Sequence, residues 1–212
     1  MTATETLWDD LRAFLGQPDL TREELEAHRW DCDAAIREAR VASRYDEVLA
    51  TNDLSLRQLA AWHLEDRRGF DGAPVPPRPG ATLLDFGAGI GTRGIAHALR
   101  GWRVDFCEIN GPSRAFLEFR LDRLQLAGGV WATLQSGLEY DKVLCMDVVG
   151  HLSDPLLLAQ VSRAVASGGT LCINWDNWDD GVHAHADFPF THLLAECGLR
   201  PGANGSLWLR PA

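Results

Sequence analysis

The sequence predicts an α/β fold: a mostly parallel sheet with helices on both faces, preceded by a helical extension. From Ala81 onward short apolar runs alternate with longer amphipathic segments, the pattern of strands and crossover helices. Before Ala81 lies GFDGAPVPPRPG, too rich in glycine and proline to hold a helix or an interior strand. Before that again, apolar residues recur at helical spacing among abundant charges.

Taken in order, Leu7, Leu11, Phe14 and Leu15, then Leu25, Trp30 and Ala34, mark residues 1–68 as an N-terminal helical extension or cap. Residues 69–80 are the connector and residues 81–212 the core. Strands are expected at Thr82 to Phe86, Arg103 to Cys107, Val130 to Thr133, Lys142 to Met146 and Thr170 to Asn174. Helices are expected at Thr92 to Leu99, Pro112 to Leu126, Pro155 to Ala166 and Asp187 to Cys197. Ser206 to Leu209 is read as an antiparallel edge strand.

With 212 residues and 46% apolar content the chain encloses one sizeable core. Its formal charge of −10 argues against nucleic-acid or anionic-membrane partners, which would need a local basic patch. Arg67, Arg68, Arg114, Arg120 and Arg123 lie among acids and apolar residues and read as an ordinary solvated helix face. Cys32, Cys107, Cys145, Cys172 and Cys197 form no CxxC pair, and three fall in strand-like runs, so they are expected as small core residues in a reducing cytoplasm. The first residues, MTATETLWDD, lack a basic-then-apolar leader, and no apolar run is long enough to cross a bilayer; a soluble, unsecreted protein is expected.

Chemistry concentrates where the first core strand meets its helix, in Asp85-Phe86-Gly87-Ala88-Gly89-Ile90-Gly91. Gly87, Gly89 and Gly91 permit backbone angles closed to other residues and let a ligand lie against the main chain. Asp85 can accept from a ligand ammonium, beside the free N–H groups of the helix start. Glu108, ending the second strand, brings two acceptor oxygens to the same crevice, a match for two ribose hydroxyls, and Ile109 offers an apolar edge to an adenine ring. These residues describe a site for an amino acid joined to a nucleoside.

In these motifs the chain resembles the class I S-adenosylmethionine-dependent methyltransferases, whose first motif is an acid followed by GxGxG and whose second strand ends in an acid. Met146 to Pro155, MDVVGHLSDP, is similar to the segment after the fourth strand in members acting on small molecules, and Ser167-Gly168-Gly169-Thr170-Leu171 to the turn into the fifth. The resemblance spans roughly Ala81 to Asn174. It implies a Rossmann-like sheet of seven strands or slightly fewer, S-adenosyl-L-methionine as cofactor, and binding by Asp85, Gly87, Gly89, Gly91, Glu108 and Ile109, with Asp147 shaping the crevice. Two departures stand out. Gly150 precedes His151 where Glu is common, and after the third strand Gln135 stands where an acid often meets the adenine amino group. Gly89 to Gly94 also spells the GxGxxG of dinucleotide sites, but that register leaves Gly87 unexplained.

Methyl transfer from a sulfonium chiefly needs alignment and exclusion of water, while a hydroxyl acceptor also needs a base. His151 is the first candidate, against the more ordinary role of fixing the loop after its strand. Trp175, Trp178, His183 and His185, in a polar loop after the fifth strand, are candidates for substrate contact. The HxH spacing among Asp176, Asp179, Asp180 and Asp187 also invites a metal, but a solvated polar loop is the preferred reading and no metal is assigned. Tyr45, Trp62 and His63 are candidate lid residues, Tyr45 also for substrate contact, with plain packing as the alternative. No NPPY or Pro-Cys motif points to nucleic-acid methylation. The expected function is methyl transfer to a small organic acceptor, oxygen before nitrogen or carbon. The alternative is a non-catalytic protein that binds S-adenosylmethionine or S-adenosylhomocysteine as a sensor or assembly partner.

Overall fold

A computed structural model describes residues 3–65, 77–152, 154, 156–174, 190–202 and 206–212. Among the described residues four helices come first: α1 (Leu7–Leu15), α2 (Arg22–Val41), α3 (Tyr45–Thr51) and α4 (Leu54–Glu65). Gly16, at φ 64°, ends α1 in the left-handed conformation. A capping box opens α2: Thr21 N donates to Glu24 Oε2 at 2.8 Å and Glu24 N to Thr21 Oγ1 at 3.2 Å.

The core follows as β1 (Thr82–Phe86), α5 (Thr92–Ala98), β2 (Arg103–Cys107), α6 (Gly111–Arg123), β3 (Val130–Trp131), β4 (Tyr140–Cys145), a 3-10 turn at Val149–His151, α7 (Leu156–Arg163), β5 (Val165–Ile173), α8 (Phe190–Glu196), β6 (Arg200–Pro201) and β7 (Leu207–Leu209). The seven strands lie in the order β3-β2-β1-β4-β5-β7-β6. Pairings from β3 through β5 are parallel, and β7 is antiparallel to both β5 and β6. The antiparallel pairing therefore falls toward one end of the sheet, with β6 outermost.

β1 is buried on both faces, as a central parallel strand must be. Leu83 joins a cluster with Ile95, Leu117, Leu121 and Phe106 under α5 and α6. Its neighbour Leu84 joins Val143, Leu158, Val161 and Leu194 under α7 and α8 on the other face. The cap has its own cluster, Leu7, Leu11, Leu25, Leu56 and Ala60, but Ile90 of the glycine loop and Phe116 of α6 complete it. Cap and core thus share apolar burial, and the glycine loop lies at their seam.

β1 and β2 keep their expected bounds. β5 begins at Val165, five residues before the expected Thr170, because Val165 pairs with Tyr140 of β4 across a register shift, and Gly168 N and Gly169 O bond Arg210 within the glycine turn. β6 was not anticipated; its two residues pair only with β7, which no local pattern announces. Cys107 and Cys145 lie buried in β2 and β4, Cys172 is partly exposed in β5, and none of the five cysteines forms a disulfide. Among the described residues no helix is long and apolar enough to cross a membrane.

Gly94 makes the packing of α5 on the sheet depend on a missing side chain. A Cβ there would lie 2.7 Å from Asp85 Oδ2 and closer still to the Phe106 ring. Phe106 is fully buried and has nowhere to go. Gly94→Ala should therefore cost about 1–3 kcal/mol in chemical denaturation, whereas Gly80→Ala, with nothing within 4 Å, should cost only its φ strain.

Candidate functional site

The chain leaves β1 toward β2 and β3 on one side and returns to β4 on the other, so a crevice opens at the carboxyl ends of β1, β2 and β4. Asp85, Glu108 and Asp147 all lie at these ends. Gly87, Gly89 and Gly91 have φ of 68°, 55° and 76°. The amides of Gly87 and Ala88 donate to the Cys107 carbonyl at 2.8 and 3.0 Å, tying the loop to β2.

Glu108 clasps this loop. Its Oε2 accepts from Gly89 N and its Oε1 from Asn110 N, both at 2.6 Å. Burial raises its pKa, and these backbone donors, with Arg114, pull it back. The Ile109 amide also acts on the carboxylate, whose remaining acceptor capacity faces the crevice. Ile109 is 49% exposed at the crevice edge, an apolar side chain left facing solvent.

Asp85 sits deeper, beneath the loop: its Oδ2 accepts from Gly94 N at 2.8 Å in the first turns of α5. Burial raises its pKa to about 6, against the pull of Arg93. Asp147, at φ 61°, closes the far wall. Its Oδ2 meets Arg93 Nη1 at 3.0 Å, and Asn174 at the end of β5 both donates to its side chain and accepts from its backbone. Gln135 is half-buried after β3, its side-chain amide donating to the Thr133 carbonyl at 3.0 Å.

The cap contributes Tyr45, whose hydroxyl lies 2.7 Å from His151 Nδ1. Two candidates 106 residues apart thus meet across the crevice between α3 and the turn after β4. His63 Nδ1 is 2.8 Å from Thr92 Oγ1 at the start of α5, while Trp62 is 43% exposed. Trp175, Trp178, His183 and His185 lie outside the described residues.

One expectation needs correction. Arg120 is not on a solvated face: it is fully buried, donating to the Ile90 carbonyl at 2.9 Å and pairing Asp10 at 3.3 Å. Its position on the stripe Phe116, Leu117, Arg120, Leu121 was the signal, because those residues share one face of α6. Asn110 was also missed. It caps α6 by accepting from Ser113 N at 2.8 Å, and its amide donates to the carbonyls of Leu49 and Asn52 at the end of α3, at 2.9 and 3.0 Å. The sequence Asn110-Gly111-Pro112-Ser113 carries that cap's usual signature.

No protein-family model matches the chain and no curated protein matches it in sequence. Solved structures do. The magnesium protoporphyrin IX methyltransferase of Synechocystis PCC 6803 with bound SAH aligns over 82% of this chain and 92% of its own, with TM-score 0.53 and 15% identity. The [4+2]-cyclase SpnF aligns over 67% of this chain, with TM-score 0.50 and 18% identity. The amino pentose methyltransferase of Micromonospora echinaspora aligns over 54%, with TM-score 0.43 and 26% identity. The chain spans little more than half the length of these last two, 58% and 51%. It has the Rossmann-like fold of the class I methyltransferases. That fold also carries a cyclase, so the reaction must be argued from the site.

His63 supplies a test of the seam. Burial, then Arg93 and Arg120, lower its pKa from 6.5 to about 3. The unfolded chain therefore binds a proton between these values that the folded protein refuses, and stability falls as pH drops from 6.5 toward 3. His97, lowered by burial to about 4, acts in the same direction. Asp85, raised to about 6, has the opposite sign and offsets part of the loss as pH falls from 6 to 3.8. Tm measured against pH should decline from 6.5 downward, and His63→Gln should flatten that decline; an unchanged slope would show His63 to be protonated in the fold.

Proposed function

We propose that the chain binds S-adenosyl-L-methionine in this crevice and transfers its methyl group to a small organic acceptor, at oxygen in preference to nitrogen or carbon. The observation that carries this reading is the Glu108 clasp, which sets a carboxylate for ribose hydroxyls directly against a glycine loop bare of side chains. The residues fit such a ligand from end to end. Ile109 flanks the adenine and Glu108 takes the ribose hydroxyls, with Gln135 beside the adenine edge. Gly87, Gly89 and Gly91 shape the loop beside the amino-acid end, Arg93 brings positive charge for a carboxylate, and Asp85 and Asp147 supply negative charge for an ammonium.

When bound, the cofactor supplies a methyl group already activated by its sulfonium charge. What remains for the chain is alignment, dryness and a proton acceptor. The Tyr45–His151 pair serves the last need. In the tautomer where Nδ1–H donates to the Tyr45 oxygen, the Nε2 lone pair can take the proton that an acceptor hydroxyl loses. Tyr45 then holds the imidazole in place and stabilises the imidazolium. Because Tyr45 belongs to the cap, the base is complete only with the cap seated. The Synechocystis methyltransferase, whose fold the chain shares over most of both lengths, acts on a porphyrin; a small-molecule acceptor for this chain agrees with that.

Calorimetric titration with S-adenosylmethionine, S-adenosylhomocysteine and NAD tests the cofactor: the two adenosyl ligands should bind and NAD should not. Glu108→Ala should weaken S-adenosylhomocysteine binding by about 1.5–3 kcal/mol, the range for hydrogen bonds to a charged group; undiminished affinity in a folded variant would sink the assignment. In an acceptor screen, His151→Ala should keep the cofactor affinity and lower kcat by about 100-fold or more, with Tyr45→Phe intermediate. Binding with no turnover on any acceptor would instead favour the sensor reading.

A further inference from the structure

The structure assigns Arg120 as a positioning residue that makes the N-terminal segment part of the glycine loop's support, with Asp10 as its counter-charge. This rests on the cofactor reading above and extends it to residues that touch no ligand. Arg120 leaves α6 and is fully buried at the seam between cap and core. Its guanidinium donates to the Ala3 carbonyl and pairs Asp10 of α1 at 3.3 Å, both on the N-terminal segment. It also donates to the Ile90 carbonyl at 2.9 Å and to Thr92 Oγ1 at 3.3 Å, on either side of Gly91. Asp10 is 2% exposed, and its other oxygen meets Arg123 at 3.2 Å.

The chain of donors continues. With Arg120 donating to Thr92 Oγ1, the Thr92 hydroxyl can in turn donate to Nδ1 of His63, whose imidazole burial keeps neutral. One guanidinium therefore joins α1, α4 and the turn into α5. Burial lowers its pKa to about 10 while Asp10 sustains it, so it remains charged at neutral pH. A charge held this way is not interchangeable with apolar packing at the loop. Methionine in its place fills space but gives the Ile90 carbonyl and the Thr92 hydroxyl no donor, and lysine has no planar fork to span four partners. The loop amide that meets Glu108, Gly89 N, lies next to the strut's own contact at Ile90, so loosening the strut loosens the clasp.

The test separates support of the loop from ordinary stabilisation. Asp10→Asn alone leaves a buried charge uncompensated and should unfold more easily, but Asp10→Asn with Arg120→Met removes both charges and should regain much of the lost Tm. In that double variant S-adenosylhomocysteine affinity should still be about tenfold weaker than wild type, and amide exchange of residues 89–95, measured without ligand, about tenfold faster. Leu158→Ala, in α7 on the other face of the sheet, should lower Tm yet leave both readouts within about twofold. Should the double variant fold and match wild type in affinity and exchange while wild type binds S-adenosylhomocysteine, the strut is overturned. Failure of wild type to bind would instead overturn the cofactor reading itself, and the ligand-free exchange would still report on the strut.

Discussion

The crevice is built around three glycines that neighbouring side chains approach closely, two of them too closely for a Cβ without displacement. A Cβ on Gly87 would overlap Val148 beyond β4, one on Gly91 would overlap Leu117 of α6, and one on Gly89 would stand 3.0 Å from Leu59 of α4. All three residues also have positive φ, so the loop needs glycine for conformation as well as for space. The consequence reaches outward: α4, α6 and the segment after β4 can close on the loop only because it is bare.

A bare loop has few contacts of its own to fix it, and the surrounding polar groups supply them. Glu108 holds it from β2, Asp85 holds the helix it leads into, and Arg120 holds the Ile90 carbonyl from below. Each of these is a buried charge meeting backbone groups, and in each burial moves the pKa toward the neutral form while hydrogen bonds or a counter-charge resist it. The same groups that shape a ligand site thus carry a standing desolvation cost. That cost is smallest when every lone pair and N–H is used, which favours a bound polar ligand over an open crevice.

The core was largely legible. β1 and β2 follow from apolar runs between turn residues, and DFGAGIG with Glu108 located the crevice, because parallel topology sends successive carboxyl ends to one rim. The pairing of Tyr45 with His151 was not legible, since it joins residues whose proximity arises only when α3 docks beside the turn after β4. Arg120 was misread because charge outweighed position: its place on the apolar stripe of α6 decided its burial, and Asp10, too far away in sequence to be matched by eye, made burial possible. Local patterns carry strands, loops and caps, whereas partners of buried charges are set by tertiary contacts.

This division has a bearing on specificity. Residues that suit the nucleoside and amino-acid ends of a cofactor come from the core, in motifs that a fold shared by a methyltransferase and a cyclase can hold without fixing the reaction. On the proposed reading an acceptor is met from two sides, by Tyr45 of the cap and His151 of the turn after β4. The cap is anchored beside the cofactor residues rather than far from them, by Asn110 to the end of α3 and by Arg120 to α1. A shift of the cap large enough to admit a different acceptor would therefore pull on Glu108's neighbour and on the glycine loop together. On the proposed reading, acceptor choice and cofactor grip are therefore coupled through Asn110 and Arg120.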